Sequence, residues 1–388
     1  MTRQMCRALS VASVLVALAA TMPAKAAELK VGFVTSLSGP GASLGIPYSH
    51  GIAAAKTYMP KIAGDDVKLI ELDDGSDPST ATRNARKLVE EEKVDVLIGT
   101  ATTPSTNAMA AVANEMKVPF IAISPINPAA DEQGQRWALA VPQPPPLMVK
   151  VVADRIVRDG VKTLGFIGFN DAWGDFVYNG ALAAEKTGAL KVVTNERYAR
   201  TDASVTGQVL KIVAAKPDGV LIGGSGTQGA LPLLNLAERG YKGKIYGTPA
   251  IVNNDFIRVG GKAVEGILAS GGPVIVAEQL PDSHYAKKIS LAFRDAHEKA
   301  NGVPSTDSFA PYAFDSWLIF ADAAARAKAK AEPGTPAFHA ALRDALFSVK
   351  DLAGTQGLYN FTPASAYGVD ERALVLMRLE NGHWKYEP

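Results

Sequence analysis

The residues of this sequence best suited to chemistry are hydroxyls and backbone N–H groups at one predicted strand end. Thr102, Thr103 and Ser105 follow an apolar run at residues 94–98, which predicts a strand, and precede a helical stretch. Thr103 is a good N-cap and Pro104 suits the first helical position. Unpaired N–H groups and the helix dipole favour an anion there. No basic side chain lies in the segment, so a single carboxylate fits better than a polyphosphate; an ordinary capped helix explains the residues equally well.

A second glycine-rich segment, Gly224 to Gly229, reads GSGTQG and matches the GxGxxG pattern of dinucleotide-binding turns. That pattern needs an acidic residue at the end of the next strand to hold the ribose. Gly247, Thr248 and Pro249 stand there instead. A tight turn that lines a cleft is therefore a better interpretation than a nicotinamide site.

Catalytic and metal-binding patterns are sparse. The five histidines are scattered, and the sequence contains no HExxH, GxSxG or GxxxxGK[ST] motif. The acidic pairs at residues 65–66 and 73–74 are adjacent on predicted strands, so their side chains point to opposite faces. We expect them to be solvated loop acids. The sequence thus predicts no enzyme activity, no metal and no cofactor.

The first 26 residues have the features of a secretory signal. Arg3 and Arg7 precede an apolar run from residue 8 to about residue 20, which is too short to cross a bilayer, and Ala24 and Ala26 form an Ala-x-Ala site. We expect cleavage after Ala26. Cys6, the sole cysteine, precedes the apolar run, so the processed chain has no thiol. It keeps 37 of the 40 basic residues and all 39 acidic ones, which gives no reason to expect nucleic acid or membrane insertion.

The rest of the chain alternates between predicted strands and helices. Strands are predicted at residues 29–34, 67–72, 94–98 and 120–123, with helices at 50–59, 80–92 and 105–116 between them. Four prolines at residues 142–146 interrupt the pattern, which restarts from residue 147 to residue 247. This alternation predicts two doubly wound α/β halves with parallel sheets. A Gly-Gly-Pro segment at 271–273 then precedes two long helices, at about 283–301 and 309–330, and three short strands near the C-terminus.

Six motifs in order give the chain a resemblance to the periplasmic leucine/isoleucine/valine-binding protein family, the soluble receptors of ATP-driven importers. They are KVGFVTSLSGP from Lys30, LDDGSDP from Leu72, IGT from Ile98, ISP from Ile123, NDAWG from Asn170 and YAFDS from Tyr312. The resemblance covers nearly all of the chain after the signal segment. It implies a periplasmic protein with two Rossmann-like lobes that close over a small ligand.

The resemblance also implies three crossovers between the lobes, expected near residues 142, 273 and 352. Lobe 1 is then residues 27–142 plus 274–351, and lobe 2 is residues 143–273 plus 352–388. The two irregular segments found above coincide with the first two crossovers. The implied partner is an inner-membrane ABC permease with its ATPases.

Candidate ligand contacts follow from the same resemblance. The loop that holds a ligand carboxylate in the family matches Thr102–Ser105, and Thr103 matches its key hydroxyl. Ser124 begins a second polar segment, in which either Ile126 or Asn127 faces the ligand. Trp173 matches an aromatic residue that flanks the ligand, and main-chain groups at Ser124 and at Ser225 and Gly226 are expected to orient it.

Departures from the family pattern set the expected ligand. Pro249 replaces the carboxylate that receives the ammonium group of an amino acid, Leu44 replaces an aromatic residue, and the tyrosine expected near Ser225 and Gly226 is missing. The paired cysteines of some members correspond to Ser76 and Thr102. A buried ammonium without an anionic partner costs several kcal/mol. We therefore expect an apolar or aromatic monocarboxylate, with an amino acid as the alternative if Asp171, Asp175 or Asp255 substitutes.

Two other classes of function stay open at this level. The same lobes serve as ligand-sensing receptor modules, although the chain shows no DNA-binding helices and no membrane anchor. A secreted dehydrogenase would require the turn at Gly224–Gly229 to bind a dinucleotide, which the absent acidic residue argues against.

Overall fold

The computed structural model describes residues 28–388 apart from residue 128, and these residues form two α/β lobes, each built on its own sheet. The predicted fold class of two doubly wound lobes is confirmed. The predicted signal segment, residues 1–26, lies outside the described residues. None of the described helices is long and apolar enough to cross a membrane.

The first sheet is built from the N-terminal part of the chain. Its elements in chain order are β1 (Leu29–Thr35), α1 (Ala42–Tyr58), β2 (Lys61–Ile62), β3 (Asp65–Asp73), α2 (Pro78–Glu90), β4 (Val96–Gly99), α3 (Thr103–Met116), β5 (Phe120–Ala122) and β6 (Ala138–Ala140). The strand order is β2-β3-β1-β4-β5-β6, and β2 is the antiparallel member. Strands β1, β4 and β5 are buried apolar runs because helices cover both faces of the sheet there.

The second sheet starts after the proline-rich segment. Its elements are α4 (Pro145–Arg158), β7 (Thr163–Phe169), α5 (Ala172–Glu185), β8 (Lys191–Tyr198), α6 (Thr206–Ala215), β9 (Gly219–Gly223), α7 (Gly226–Glu238), β10 (Lys244–Gly247), α8 (Asn254–Gly260) and β11 (Leu268–Gly271). The strand order is β15-β14-β11-β10-β9-β7-β8, in which the C-terminal strands are β14 (Val375–Glu380) and β15 (His383–Glu387). Strand β14 pairs antiparallel with β11, and β15 pairs antiparallel with β14.

The chain then returns to the first lobe before it ends in the second. The last elements are α9 (Lys287–Asn301), α10 (Phe309–Lys328), α11 (Pro336–Leu346), the hairpin β12 (Leu352–Ala353) and β13 (Leu358–Tyr359), then β14 (Val375–Glu380) and β15 (His383–Glu387). Tyr359 and Phe361 belong to the core of the first lobe. The predicted lobe boundary at residue 352 is therefore too early, because this hairpin packs with α10 and the chain joins the second sheet only at β14.

Several elements extend beyond their predicted bounds or were not predicted. Helix α1 begins eight residues earlier than predicted, since Gly45 and Pro47 lie inside it and obscured its start. The charged edge strand β8 and the helix α6 were not predicted. Among the described strands β8 pairs with β7 alone, and half-exposed residues replace the apolar run that marks a buried strand.

Each of the two large sheets has one switch point in its strand order. In the first sheet the connections from β1 and β4 leave in opposite directions, and in the second sheet those from β7 and β9 do so. Ligands of open parallel sheets bind beyond the carboxyl ends of strands at such points. The segments after β1, β4, β7 and β9 are consequently the ones to examine for a site.

A buried carboxylate on α10 holds the hairpin against the first lobe. Asp315 accepts hydrogen bonds from the Thr355 backbone N–H at 2.8 Å, the Thr355 hydroxyl at 2.9 Å, the Gln356 N–H at 2.9 Å and the Tyr359 hydroxyl at 2.8 Å. Burial raises the pKa of Asp315 to about 6, so near neutral pH the charged form needs these four donors.

We predict that Asp315→Ala lowers the free energy of unfolding by about 3 kcal/mol, since it leaves several buried donors without an acceptor. Urea denaturation at pH 7 measures the change. Asp322→Ala is the matched control, because Asp322 is half-exposed on the same helix and pairs with Arg326; a loss below about 1 kcal/mol is expected there. Equal losses in the two variants would contradict the role given to Asp315.

Candidate functional site

The loop between β4 and α3 presents free backbone donors to the space between the lobes. Thr102, rather than Thr103, is the N-cap of α3: its side chain accepts from the Ser105 N–H at 3.4 Å and donates to the Ser105 hydroxyl at 3.1 Å. The predicted cap is thus wrong by one residue. Thr103 begins the helix, and neither its N–H nor its hydroxyl has a hydrogen-bond partner among the described residues. Both groups remain available to an anion.

This loop is anchored from below by Asp74, which the sequence predicted to be solvated. Asp74 is completely buried. It accepts hydrogen bonds from the Ser36 hydroxyl at 2.6 Å, the Thr100 hydroxyl at 2.5 Å and the Ser76 N–H at 2.8 Å. The expectation of a solvated acid is therefore wrong here, because the carboxyl ends of β1, β3 and β4 converge and supply three donors.

The second lobe contributes a cation that sequence reasoning missed. Arg200 follows β8 and is 14% exposed. Its Nε donates to Asp171 at 2.6 Å, its Nη1 donates to the Ser225 hydroxyl at 3.1 Å, and its guanidinium lies 4.1 Å from the centre of the Phe169 ring. Asp171 also caps α5 through its other oxygen. These contacts hold the guanidinium in one orientation and leave part of it free to donate.

A small cavity lies between the lobes where these groups converge. Its polar lining includes Thr103 and Ser124 from the first lobe and Arg200 and Ser225 from the second. Its apolar and aromatic lining includes Leu44, Tyr48, Phe309 and Tyr312 on one side and Met148, Trp173, Pro249 and Ala250 on the other. Among the described residues, the lining contains one cation and no carboxylate.

Six of the ten predicted contact residues lie around this cavity, and their roles in binding stay predictions. These six are Leu44, Thr103, Ser124, Trp173, Ser225 and Pro249. Thr102 and Ser105 are buried behind the wall, where they bond to each other.

Three of the predicted residues have another position or another partner. Asn127 is exposed, and its N–H bonds to Asn107. Ile126, the alternative residue expected to face the ligand, is buried under Tyr367. Neither faces the cavity, since the chain turns away after Pro125, which takes the lining position. The Ser124 hydroxyl is also already engaged, because it donates to the Ala101 carbonyl at 3.0 Å.

The acids that were considered as replacements at Pro249 are all engaged elsewhere. Asp171 pairs with Arg200 at 2.6 Å, Asp175 is exposed and pairs with Arg197 at 3.1 Å, and Asp255 pairs with Arg258 at 2.8 Å on the surface. None of the three lines the cavity. The position after β10 therefore lacks an anionic partner for an ammonium group.

The lobes touch each other across the cavity mouth. The Asn253 side chain donates to the Ser43 carbonyl at 2.8 Å, and the Thr227 N–H donates to the Ser43 hydroxyl at 3.4 Å. Gly226, with a φ of +51°, lies where an added Cβ would meet the Ser43 hydroxyl at 2.4 Å and a Leu44 methyl at 2.7 Å. The predicted tight turn thus serves the contact between the lobes.

The first crossover is connected to the cavity wall by one buried amide. The Gln143 amide nitrogen donates to the carbonyls of Gln356 at 3.0 Å and Ala373 at 2.9 Å, which lie on the third crossover. Its oxygen accepts a hydrogen bond from the Tyr312 hydroxyl at 2.6 Å. Gln143 therefore joins two hinge segments to a residue that lines the cavity.

The family of the chain follows from its match to a family model. The model described as "Periplasmic binding protein" matches residues 28–382, which is almost all of the described chain. The chain belongs to this family. The resemblance inferred from the six motifs is thereby confirmed, and the family consists of binding proteins rather than enzymes.

Solved and curated relatives agree with this membership. An extracellular ligand-binding receptor from Rhodopseudomonas palustris is 41% identical, with a TM-score of 0.89 over 93% of this chain and all of that one. An ABC transporter solute-binding protein from R. palustris in complex with benzoate is 23% identical, with a TM-score of 0.77 over 93% of this chain and 95% of that one. An "amino acid binding protein" from Pseudomonas aeruginosa is 24% identical over 63% of this chain and 67% of its own length.

We predict that Gly226→Ala hinders closure, since its Cβ would overlap Ser43 and Leu44 and its φ disfavours a side chain. With any ligand that reduces the radius of gyration of the wild type in small-angle scattering, the variant is expected to show a smaller reduction and at least tenfold weaker binding. Gly207→Ala is the control, because its Cβ would meet nothing within 4 Å. Full closure of the Gly226 variant would contradict this contact.

Proposed function

We propose that this periplasmic binding protein captures a small apolar or aromatic monocarboxylate that has no amino group. The observation that carries the proposal is the charge of the cavity lining, in which Arg200 is the one cation and no carboxylate is present among the described residues. An amino acid would bring an ammonium group next to a guanidinium with no anion to receive it. Burying such a charge costs several kcal/mol.

The carboxylate would bind between the two lobes. Thr103 offers a backbone N–H, a hydroxyl and the positive end of the α3 dipole, and Arg200 offers the formal charge from the opposite lobe. Hydrogen bonds from charged donors to a carboxylate are about twice as strong as neutral ones. A carboxylate that contacts both groups would bring together the lobes that carry them.

The body of the ligand would lie against an apolar wall. Trp173 and Leu44 face the cavity from different lobes, and Phe309 adds a second aromatic ring. The Trp173 indole N–H is 3.4 Å from the Gly224 carbonyl, so its ring offers mainly apolar surface. Most of the lining is apolar, which is typical of pockets for small hydrophobic ligands.

The wider role that we propose is uptake. The protein would be exported with cleavage after Ala26, act in the periplasm, and deliver its ligand to an inner-membrane ABC permease with its ATPases. Support comes from the signal-like first 26 residues and from the solute-binding neighbour, whose bound benzoate belongs to the proposed ligand class.

Calorimetric titration of the processed protein tests the ligand class. We expect benzoate or a close aromatic or aliphatic monocarboxylate to bind with a dissociation constant in the micromolar range or below, which corresponds to about 8 kcal/mol or more. Leucine, isoleucine and valine are expected to bind at least a hundredfold more weakly. Tight binding of one of these amino acids, with no binding of plain carboxylates, would overturn the proposal.

We predict that Arg200→Met weakens carboxylate binding at least a hundredfold, because the formal charge is lost while the stem is retained. Arg200→Lys should recover part of the affinity. Arg258→Met is the control, since Arg258 is a surface arginine of the same lobe. The carboxylate affinity of this variant should match that of the wild type. Unchanged carboxylate binding by Arg200→Met would show that Arg200 does not contact the ligand.

A further inference from the structure

The proton positions around Tyr312 are fixed by its neighbours. The Gln143 amide group faces two carbonyl oxygens, of Gln356 and Ala373, and only its NH₂ end can donate to them. The Gln143 oxygen is therefore the atom 2.6 Å from the Tyr312 hydroxyl. Since an amide oxygen cannot donate, Tyr312 gives its proton to Gln143. The Tyr312 oxygen is left with acceptor capacity alone.

The Tyr48 hydroxyl oxygen is also left with acceptor capacity alone, but its proton goes to a different partner. Its hydroxyl donates to the Ile123 carbonyl at 2.7 Å, and the neighbouring Ser124 hydroxyl donates to the Ala101 carbonyl at 3.0 Å. The two hydroxyl oxygens lie 3.3 Å apart. Because both protons are directed to backbone carbonyls, Tyr48 and Ser124 also retain acceptor lone pairs rather than donors.

These three oxygens belong to residues of one wall of the cavity. Tyr48, Ser124 and Tyr312 all line it from the first lobe, and Tyr48 packs edge to face on Phe309 of the same wall, with ring centres 5.5 Å apart. Burial raises the pKa of Tyr48 and of Tyr312 far above the ordinary tyrosine value, and each is neutral and protonated at any physiological pH. The directions assigned to these hydrogen bonds therefore hold throughout the physiological pH range.

We infer that the ligand of this site carries a neutral hydrogen-bond donor, such as a hydroxyl group on an aromatic ring, in addition to its carboxylate. The inference rests on the proposed function, because it takes the carboxylate at Thr103 and Arg200 as given. Donors on those two residues match a carboxylate, and acceptors on Tyr48, Ser124 and Tyr312 match a hydroxyl. A plain apolar acid leaves these buried acceptors without a donor, and such mismatches reduce affinity.

A charged donor does not fit the same wall. The three acceptors are neutral hydroxyl oxygens, and Arg200 is the one formal charge among the described residues that line the cavity. An ammonium group at this wall would exchange its hydration for uncharged partners in a cavity that already holds a cation. A phenolic hydroxyl loses far less hydration and meets the acceptors without a charge penalty.

Titration with matched aromatic acids tests the inference. The probes are benzoate, its three monohydroxy isomers, and the corresponding fluoro and methoxy compounds, which keep the substituent and lack the donor. We expect one hydroxy isomer to bind at least tenfold more tightly than benzoate, while its fluoro and methoxy counterparts do not. Equal binding of the hydroxy and fluoro compounds at every position would overturn the inference.

Two tyrosine variants locate the effect. Tyr312→Phe and Tyr48→Phe remove one acceptor each, and at least one of them is expected to weaken binding of the hydroxy acid at least tenfold more than binding of benzoate, so that the preference for the hydroxy acid is lost. An equal loss for both ligands in both variants would mean that the tyrosines act only through the hinge or the packing, and would overturn their role. Phe309→Leu is the control, since it should weaken all the probes alike.

The test also separates this inference from the proposed function. If benzoate and its hydroxy isomers all fail to bind and leucine binds, the proposed function fails, and the inference fails with it. If benzoate binds through Arg200 and the hydroxy isomers gain nothing, the proposed function stands and the inference alone is overturned.

Discussion

The cleft face of the first lobe depends on the buried carboxylate of Asp74. This group joins the ends of three strands, since Ser36 follows β1, Asp74 itself follows β3 and Thr100 follows β4. Without it, the loop that carries Thr103 would lose the side-chain bond that joins it to the ends of β1 and β3. The same carboxylate places a negative charge beneath a loop that offers N–H groups to an anion. A carboxylate ligand at this loop would therefore need a positive charge from another segment.

The opposite lobe carries such a charge. Arg200 brings a formal positive charge, held by Asp171 and Ser225, while Thr103 brings neutral donors with a fixed direction. In the proposed function each lobe carries half of the carboxylate site, and the complete site would form when the lobes meet along Ser43 and Gly226. A ligand with different affinities for the open and closed forms shifts the balance between them, and the proposed division of the site between the lobes would give a carboxylate that difference.

The sequence predicted the sheets, most helices and six residues of the cavity because these features have local signals. Apolar runs mark the buried strands, and the glycine turn after β9 and the threonines after β4 are visible by type. Arg200 has no such signal, because it follows an edge strand whose half-exposed residues conceal it. Asp74 was misread since its burial depends on donors from segments more than 20 residues away in the chain. The prediction that Asn127 faces the ligand was wrong because the chain turns away after Pro125, and the local sequence does not show this turn.

Gln143 has a consequence for how this protein can diverge. Its one side chain bonds to the cavity wall at Tyr312 and to the third crossover at Gln356 and Ala373, so a substitution at position 312 alters ligand contacts and hinge mechanics together. Trp173 and Ala250 line the same cavity from the other lobe and have no bond to this amide among the described residues. Changes of ligand preference during evolution are therefore expected to accumulate at positions such as 173 and 250, with position 312 changing late and together with 143.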